Sequence, residues 1–191
     1  KDYMNTQNIN KLPMIAGRPT TIIHPQISGA GILIVERYNG MNCYTFFRDM
    51  KGHYNETGGI RDEGETPQET ACRECREETA NLIQLNPSVL NNYVVVDQYI
   101  AFVVYLDGLH KTDYINNSKI TRRKCAHHWA ETNDMIRVPL QNINLNYLPN
   151  VVSYDGKNIQ LRGRTCKVVI EASKIIVQFL QNSPIMLFRQ I

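Results

Sequence analysis

The sequence lacks a long apolar run, a strong charge imbalance and an even number of cysteines. No apolar stretch approaches the roughly 20 residues of a membrane-spanning helix, so no membrane partner is expected. The 21 Lys and Arg nearly balance the 18 Asp and Glu. The resulting charge of +3 permits an anionic substrate without demonstrating nucleic-acid binding. Five cysteines and no secretory N-terminus favour reduced thiols and predict a cytoplasmic protein.

The sequence does contain enough apolar residues for one folded domain. Its 191 residues are 42% hydrophobic, which suits a single domain with elaborations. Residues 1–25 are largely polar, carry Pro13 and Pro19, and are predicted to form an N-terminal arm or a first element. Residues 26–191 are predicted to form the domain, including a C-terminal helix.

The local patterns predict a mixed sheet between helices, that is, an α/β class. Apolar and β-branched runs predict strands at residues 29–35, 43–47, 93–96, 99–106 and 127–130. Asn39-Gly40 indicates a hairpin turn between the first two. Apolar residues recur with helical period from Thr165 to Leu180. The polar segment 107–125 is interpreted as a long loop, and residues 134–140 as short helical turns.

A helix is predicted from Pro67 to about Thr79. Thr66 and Glu69 have the spacing of a capping box, and Pro67 stands at the first helical position. Gly58-Gly59 is expected to let the backbone turn sharply in front of this helix.

An acidic face on this helix indicates a site for a metal and a polyphosphate. Glu74, Glu77 and Glu78 have spacings that place them on one side of the helix. Crowded carboxylates repel one another, whereas Mg²⁺ takes oxygen ligands and keeps water or phosphate oxygens. An ordinary solvated acidic face is the competing interpretation, and the fixed spacing around it disfavours that alternative.

The segment 59–82 resembles the Nudix box, written G-x5-E-x7-R-E-U-x-E-E-x-G-U with U an aliphatic residue. Six fixed positions match: Gly59, Glu65, Arg73, Glu74, Glu77 and Glu78. Cys75 takes the first U, whereas Ala80 and Asn81 depart from the last two positions and affect the turn after the helix. The resemblance implies an α/β/α sandwich with a mixed sheet and a metal-dependent Nudix hydrolase.

The resemblance also implies roles for these residues. Glu74, Glu77 and Glu78, with the carbonyl of Gly59, would coordinate Mg²⁺ or Mn²⁺. Arg73 would orient the carboxylates and pair with Glu65. The substrate would be a phosphate anhydride, a nucleoside diphosphate linked to another group. The candidates are free nucleotides, nucleotide sugars, dinucleoside polyphosphates, inositol pyrophosphates and capped RNA. The alternative is a catalytically silent Nudix fold that binds a nucleotide or RNA.

The general base is left open among the box glutamates and a later carboxylate. Glu131 is the first later residue to test, and an exposed carboxylate at a strand end is its competing interpretation. Cys72 and Cys75 could form a zinc site with Cys125, His127 and His128, or a redox dithiol. Small core residues on the inner helix face are the simpler interpretation, because the capping box and glutamates already explain the helix.

Basic residues precede the C-terminal helix and end the polar segment 107–125. Arg162, Arg164 and Lys167 are candidates for contacts to substrate phosphate or RNA, with an ordinary basic turn as the alternative. Arg122-Arg123-Lys124 allows the same two interpretations. If these residues do bind phosphate, a large or highly anionic substrate, capped RNA or an inositol pyrophosphate, is favoured over a free nucleotide.

Overall fold

A computed structural model describes residues 27–106, 108–124 and 132–182 of the chain. The helices of this part are α1 (Pro67–Glu78), α2 (Lys111–Lys124) and α3 (Gly163–Asn182). Its strands are β1 (Gly29–Tyr38), β2 (Met41–Asp49), β3 (Tyr54–Asn55), β4 (Thr57–Ile60), β5 (Tyr93–Val96), β6 (Tyr99–Tyr105), β7 (Thr132–Pro139), β8 (Asn150–Val152) and β9 (Asn158–Gln160). Two short 3-10 turns, Pro87–Val89 and Leu140–Asn142, complete the described elements.

A mixed seven-stranded sheet is organised around β1. Strand β1 runs parallel to β6 and antiparallel to two strands on its other side, β4 along its first half and β2 along its second. Strand β7 pairs with β2, and β5 pairs with β6. Because β4 lies against the first half of β1, the glycines of the box segment lie beside the centre of the sheet.

The β1–β2 hairpin forms through the expected turn. Asn39 and Gly40 both have positive φ, at 46° and 81°, as a two-residue type I′ turn requires. The strand predictions for both partners are therefore confirmed.

Helices cover both faces of the sheet, which confirms the predicted α/β/α sandwich. Side chains alternate along β1, so that Ile32 and Ile34 face α1 and α2 whereas Leu33 and Val35 face α3. The first core takes Ala71 and Cys75 from α1 and Tyr114 from α2. The second takes four residues from α3: Val168, Val169, Ala172 and Ile176.

The prediction of a long loop over residues 107–125 was wrong, because α2 occupies Lys111–Lys124. Over residues 111–121 its buried residues are Tyr114 and, at helical spacing, the small polar Ser118 and Thr121, while Ile115 packs partly buried against the same core. The ring of Tyr114 packs 5.5 Å from that of Phe47, and its hydroxyl donates to Thr132 Oγ1 at 2.8 Å. One buried tyrosine therefore supplies packing that the apolar pattern does not indicate.

The prediction of helical turns at residues 134–140 was wrong for its first part. Strand β7 runs through Asp134, Met135 and Ile136, and pairs with β2. Met135 and Ile136 are both buried, one on each face of the sheet, so the segment lacks the alternation of a half-exposed strand. The prediction holds for the 3-10 turn Leu140–Asn142.

The small β8–β9 ribbon has no counterpart among the sequence predictions. The predicted arm at residues 1–25 and the predicted strand at residues 127–130 lie outside the described residues. No helix in the described part of the chain is both long enough and apolar enough to cross a membrane.

Candidate active site

Helix α1 begins with the expected capping box. Thr66 Oγ1 accepts from the Glu69 N–H at 3.2 Å, and the Thr66 N–H donates to Glu69 Oε2 at 2.8 Å. Thr70, Ala71 and Cys75 are buried against the sheet. The glutamates adjoin this buried side instead of lying opposite it, because Glu78 follows Cys75 by three positions and accepts the Gly58 N–H of β4. The acidic face therefore points toward β4.

The end of α1 shows what replaces the family's glycine. The Asn81 N–H bonds to the Arg76 carbonyl and the Ala80 N–H to the Glu77 carbonyl, the paired bonds of a Schellman motif. Ala80 has φ of +53° and Asn81 of +63°. The chain thus keeps the left-handed turn although alanine, whose Cβ disfavours it, occupies the glycine position.

Gly58 and Gly59 allow close packing of β4 instead of forming a sharp turn. Both lie in β4 and pair with β1. A Cβ on Gly59 would overlap the Glu74 carboxylate, and one on Gly58 would overlap the Tyr99 hydroxyl. Their lack of side chains therefore lets β4 approach α1 on one side and β6 on the other. The prediction of a sharp turn at Gly58-Gly59 was wrong, because both residues lie within a strand.

The three box glutamates line one cleft of about 1120 Å³. Its walls come from α1, β4, the β2–β3 turn, the β5–β6 turn and the start of α3. Glu74 and Glu77 keep 15% and 12% of their side-chain surface exposed, so they are reachable but largely dehydrated. Such partly buried like charges strongly favour a cation within the cleft.

Arg73 holds the acidic face together. Its guanidinium forms a two-point pair with Glu65, at 2.8 and 3.0 Å, and donates to Glu74 Oε1 at 2.7 Å. It also reaches Glu77 Oε2 at 3.5 Å and the Ile60 carbonyl at 3.0 Å. The hydrogen bonds from Arg73 lower the pKa of Glu65 to about 2. The Glu65 carboxylate in turn raises the pKa of Arg73. The structure thus has the expected pairing of Glu65 with Arg73.

Gly58 connects Glu78, the third glutamate of the acidic face, to a buried cluster of Arg164, Glu56 and Tyr99. Its N–H donates to Glu78 Oε2 at 2.7 Å, whereas its carbonyl accepts from Arg164 Nη2 at 3.4 Å. Arg164 also bonds Glu56 at 2.9 Å and stacks 4.0 Å from the centre of the Tyr99 ring. Burial disfavours its charge, but the Glu56 carboxylate outweighs this and raises the pKa of Arg164.

Sequence reasoning missed Glu56, which is fully buried beneath the cleft. Thr165 Oγ1 donates to Glu56 Oε2 at 2.5 Å, so the carboxylate ties α3 to the strand that carries Gly58. A signal was present, since a glutamate two residues before the paired glycines is an unexpected charge directly in front of β4, which pairs with the central strand. Its partners lie more than 100 positions along the chain, and only the fold brings them together.

The predicted substrate-binding arginines both line the cleft. Arg162 is exposed at its edge, whereas the guanidinium of Arg164 already has protein partners. Lys167 pairs with Asp97 at 2.8 Å on the rim. Glu131, like Cys125, His127 and His128, lies outside the described residues, and so do the side chains of residues 122–124. The catalytic and binding roles of these residues stay predictions.

Cys72 and Cys75 are residues of α1 that pack against the core. Cys75 is buried, and burial raises the pKa of its thiol; burial also raises the pKa of Cys72 to about 12. Both thiols are therefore poor sources of thiolate at neutral pH. This geometry matches the simpler interpretation of the two cysteines as packing residues.

The cleft residues suit a hard cation. Over the described ranges, no three His, Cys, Asp or Glu side chains form a closed cluster able to hold a metal ion. The three box carboxylates nevertheless offer oxygen donors beside Arg73, and the cleft lining holds more acidic than basic residues although Arg162 and Arg164 also line it. Mg²⁺ and Mn²⁺ accept such donors and complete their coordination with water or phosphate oxygens.

Comparison with known proteins establishes the family. The NUDIX domain model matches residues 18–149, more than two thirds of the chain. The protein therefore belongs to the Nudix family, and its α/β/α sandwich is the fold of that family. A comparison with curated protein sequences found no match.

Solved structures with a similar fold include an Ap4A hydrolase from C. elegans in a binary complex. It is 12% identical, with a TM-score of 0.47, over 80% of this chain and 98% of that one. The NUDIX domain of Shewanella oneidensis NrtR, complexed with ADP ribose, is 12% identical with a TM-score of 0.48, over 84% and 94%. A MutT/nudix family protein from Enterococcus faecalis is 10% identical with a TM-score of 0.49, over 83% and 65%.

Proposed function

We propose that this protein is a metal-dependent hydrolase that cleaves a pyrophosphate bond in a nucleoside diphosphate linked to another group. The supporting observation is the placement of Glu74, Glu77 and Glu78 along one cleft, each oriented by a partner. A silent fold that only binds its ligand would not need three carboxylates kept dehydrated at the cost of their mutual repulsion.

Each element of the cleft has a task in this proposal. Glu74, Glu77 and Glu78 would hold Mg²⁺ or Mn²⁺, which when bound neutralises phosphate charge and acidifies water. Arg73 fixes two of these carboxylates, and the Gly58 N–H fixes the third. Prearranged ligands of this kind avoid reorganisation during the reaction. The general base is either a box glutamate or Glu131.

The proposal is tested with Glu77→Gln and a matched control on the same helix. Glu77→Gln removes one ligand charge and should lower the rate of phosphate-anhydride hydrolysis by on the order of 100-fold or more. Glu69→Gln changes the same chemical group outside the cleft and keeps a residue suited to the capping box, so it should turn over like wild type. Hydrolysis is followed by product release from a panel of nucleotide-linked diphosphates, inositol pyrophosphates and capped RNA.

Metal dependence forms the second arm of the same experiment. Wild-type activity should vanish with a chelator and return with Mg²⁺ or Mn²⁺. Equal turnover by folded Glu77→Gln and wild type would refute the assignment of the metal ligands. Tight binding of a panel compound with no turnover under any metal would favour the silent binding protein instead.

A further inference from the structure

A second cleft of about 690 Å³ adjoins the first. We call it the annex cleft, and define it by Leu145, Leu148, Gln160, Leu161, Gly163 and Ile170. It lies between the segment before β8, strand β9 and the start of α3. Half of its lining follows residue 149, where the match to the NUDIX domain ends. The annex cleft is thus built in part from sequence beyond the matched family region.

The two clefts share part of their lining. Asp49, Lys51 and Arg162 line both of them, so these residues form the junction. The Asp49 carboxylate is committed to the β2–β3 turn, accepting from the N–H groups of Lys51 and His53 and from the Asn55 amide. A ligand that extends out of the first cleft at this edge therefore passes directly into the annex.

The junction presents unpaired positive charge. Lys51 and Arg162 are both exposed, and neither has an ion-pair partner within the described ranges. The contrast is with Lys111, Lys157, Lys167 and Lys174, which all pair with carboxylates. Two unpaired cations between two clefts suit a phosphate chain that crosses from one to the other.

The annex itself suits a ring system with polar edges. Leucine and isoleucine side chains supply apolar contact surface, and Gln160 and His53 supply hydrogen-bonding groups at the same cleft. Its volume lies within the roughly 300–1,000 Å³ typical of small-molecule sites. The combination of apolar contact with a few polar groups favours a nucleoside over a bare phosphate or a sugar.

We propose that the annex cleft binds a second nucleoside, at the far end of a phosphate chain held between Lys51 and Arg162. The substrate class is then a dinucleoside polyphosphate, with one nucleoside diphosphate end near the glutamates. This inference rests on the proposed function, because it assigns the first cleft to the reacting diphosphate. It departs from the sequence-based expectation of capped RNA or an inositol pyrophosphate, because the lining of the annex cleft favours a nucleoside.

The test compares a long and a short compound, diadenosine tetraphosphate and ADP-ribose. Lys51→Gln/Arg162→Gln removes the junction charges. Gly163→Trp narrows the annex from its wall, and a Cβ at this position meets no atom within 4 Å. The matched controls are Gly163→Ala and Lys119→Gln/Lys174→Gln, the latter removing two charges from exposed positions outside both clefts.

Both test variants should raise the KM for diadenosine tetraphosphate by about tenfold relative to that for ADP-ribose, since only the long compound reaches the annex. The controls should leave this ratio unchanged. Equal effects on both compounds, or no effect, would overturn the annex assignment while leaving the hydrolase proposal intact. With capped RNA as a third compound, a rise in KM confined to capped RNA would overturn the annex assignment in favour of an RNA-binding surface.

Failure of the proposed hydrolase function can be distinguished from failure of the annex assignment. If wild type hydrolyses no compound with Mg²⁺ or Mn²⁺, the hydrolase proposal fails, and the same comparison is made with dissociation constants from calorimetry. A tenfold loss of affinity for diadenosine tetraphosphate alone would still support the annex. Unchanged affinities in both test variants would overturn it.

Discussion

Two arginine–glutamate networks in this molecule differ in whether their charges balance within the protein. Arg137 and Glu36 lie within the sheet with 9% and 1% of their side chains exposed. Arg137 donates to Glu36 at 2.6 Å and to the Leu109 carbonyl, and stacks on Tyr38, while Thr45 also bonds Glu36. Arg73, in contrast, lies at the edge of a cleft and has more carboxylates around it than one cation can neutralise.

The difference separates a structural network from one prepared for a ligand. In the Glu36 network, one positive and one negative charge are matched, and the remaining bonds come from neutral groups. Such a pair is complete without anything from outside. The acidic face of α1 keeps unbalanced negative charge next to a cleft, which is stable only if a cation or solvent compensates it.

The largest expected effect comes from breaking the complete network. Arg137→Met leaves Glu36 charged and buried, and should lower the free energy of unfolding by about 3–5 kcal/mol. The loss is measured by urea denaturation, with Arg37→Met, on the same sheet but more exposed, as the control. Activity per folded molecule should be retained at low temperature, because neither Arg137 nor Glu36 lines the cleft.

A matching stability measurement on Glu77→Gln sharpens the comparison. This substitution relieves repulsion, so in metal-free buffer it should leave the unfolding free energy unchanged or slightly higher, although it removes activity. A loss of several kcal/mol would mean that the acidic face is a structural network like that of Glu36.

The pH dependence of stability isolates the Glu65–Arg73 pair. The folded-state pKa of Glu65, about 2, lies below its ordinary value of 4.5. A lowered pKa means that the pair stabilises the protein above about pH 4.5 and that this contribution is lost as the pH falls toward 2. Glu65→Gln should therefore cost on the order of 1–2 kcal/mol at neutral pH, because solvent still reaches the pair.

The measurement is urea unfolding of wild type and Glu65→Gln between pH 3 and pH 7. The difference between the two proteins should be constant above about pH 5 and shrink at lower pH. A difference that grows as the pH falls would show that Glu65 is not held in its charged form by Arg73.

The smallest effect is expected at the end of α1. Ala80→Gly relieves the left-handed strain at φ of +53°, although glycine also gains freedom in the unfolded chain. The net gain in unfolding free energy should be about 0.5–1 kcal/mol, seen as a higher Tm in calorimetry. Thr79→Gly, at a position with negative φ, is the control and should destabilise the protein.

Much of α1 could be predicted from the sequence, because its signals are local. The capping box, Pro67 and the glutamate spacing all lie within one helix, where distance along the chain fixes distance in space. The hairpin at Asn39-Gly40 was predictable for the same reason, since only a few residue types accept its backbone angles. The acidic face and its pairing with Arg73 followed from this local geometry.

Where tertiary contacts decide the structure, the sequence predictions were wrong or silent. Helix α2 depends on one tyrosine that inserts beside Phe47, and β7 depends on pairing with β2. Propensity alone does not indicate either contact. The two glycines before α1 were assigned to a turn, whereas the reason for them is the space taken by Glu74 and Tyr99 from other elements.

The sequence by itself determined the family, the helix that carries the glutamates and the acidic face that they form. Only the tertiary structure decided that Glu56 and Arg164 support Gly58 from beneath, and that Lys51 and Arg162 join a second cleft to the first. The physical reason is the separation along the chain between the residues that interact. Side chains on one helix are positioned by its repeat, but partners about a hundred residues apart meet only when sheet pairing and core packing bring their elements together.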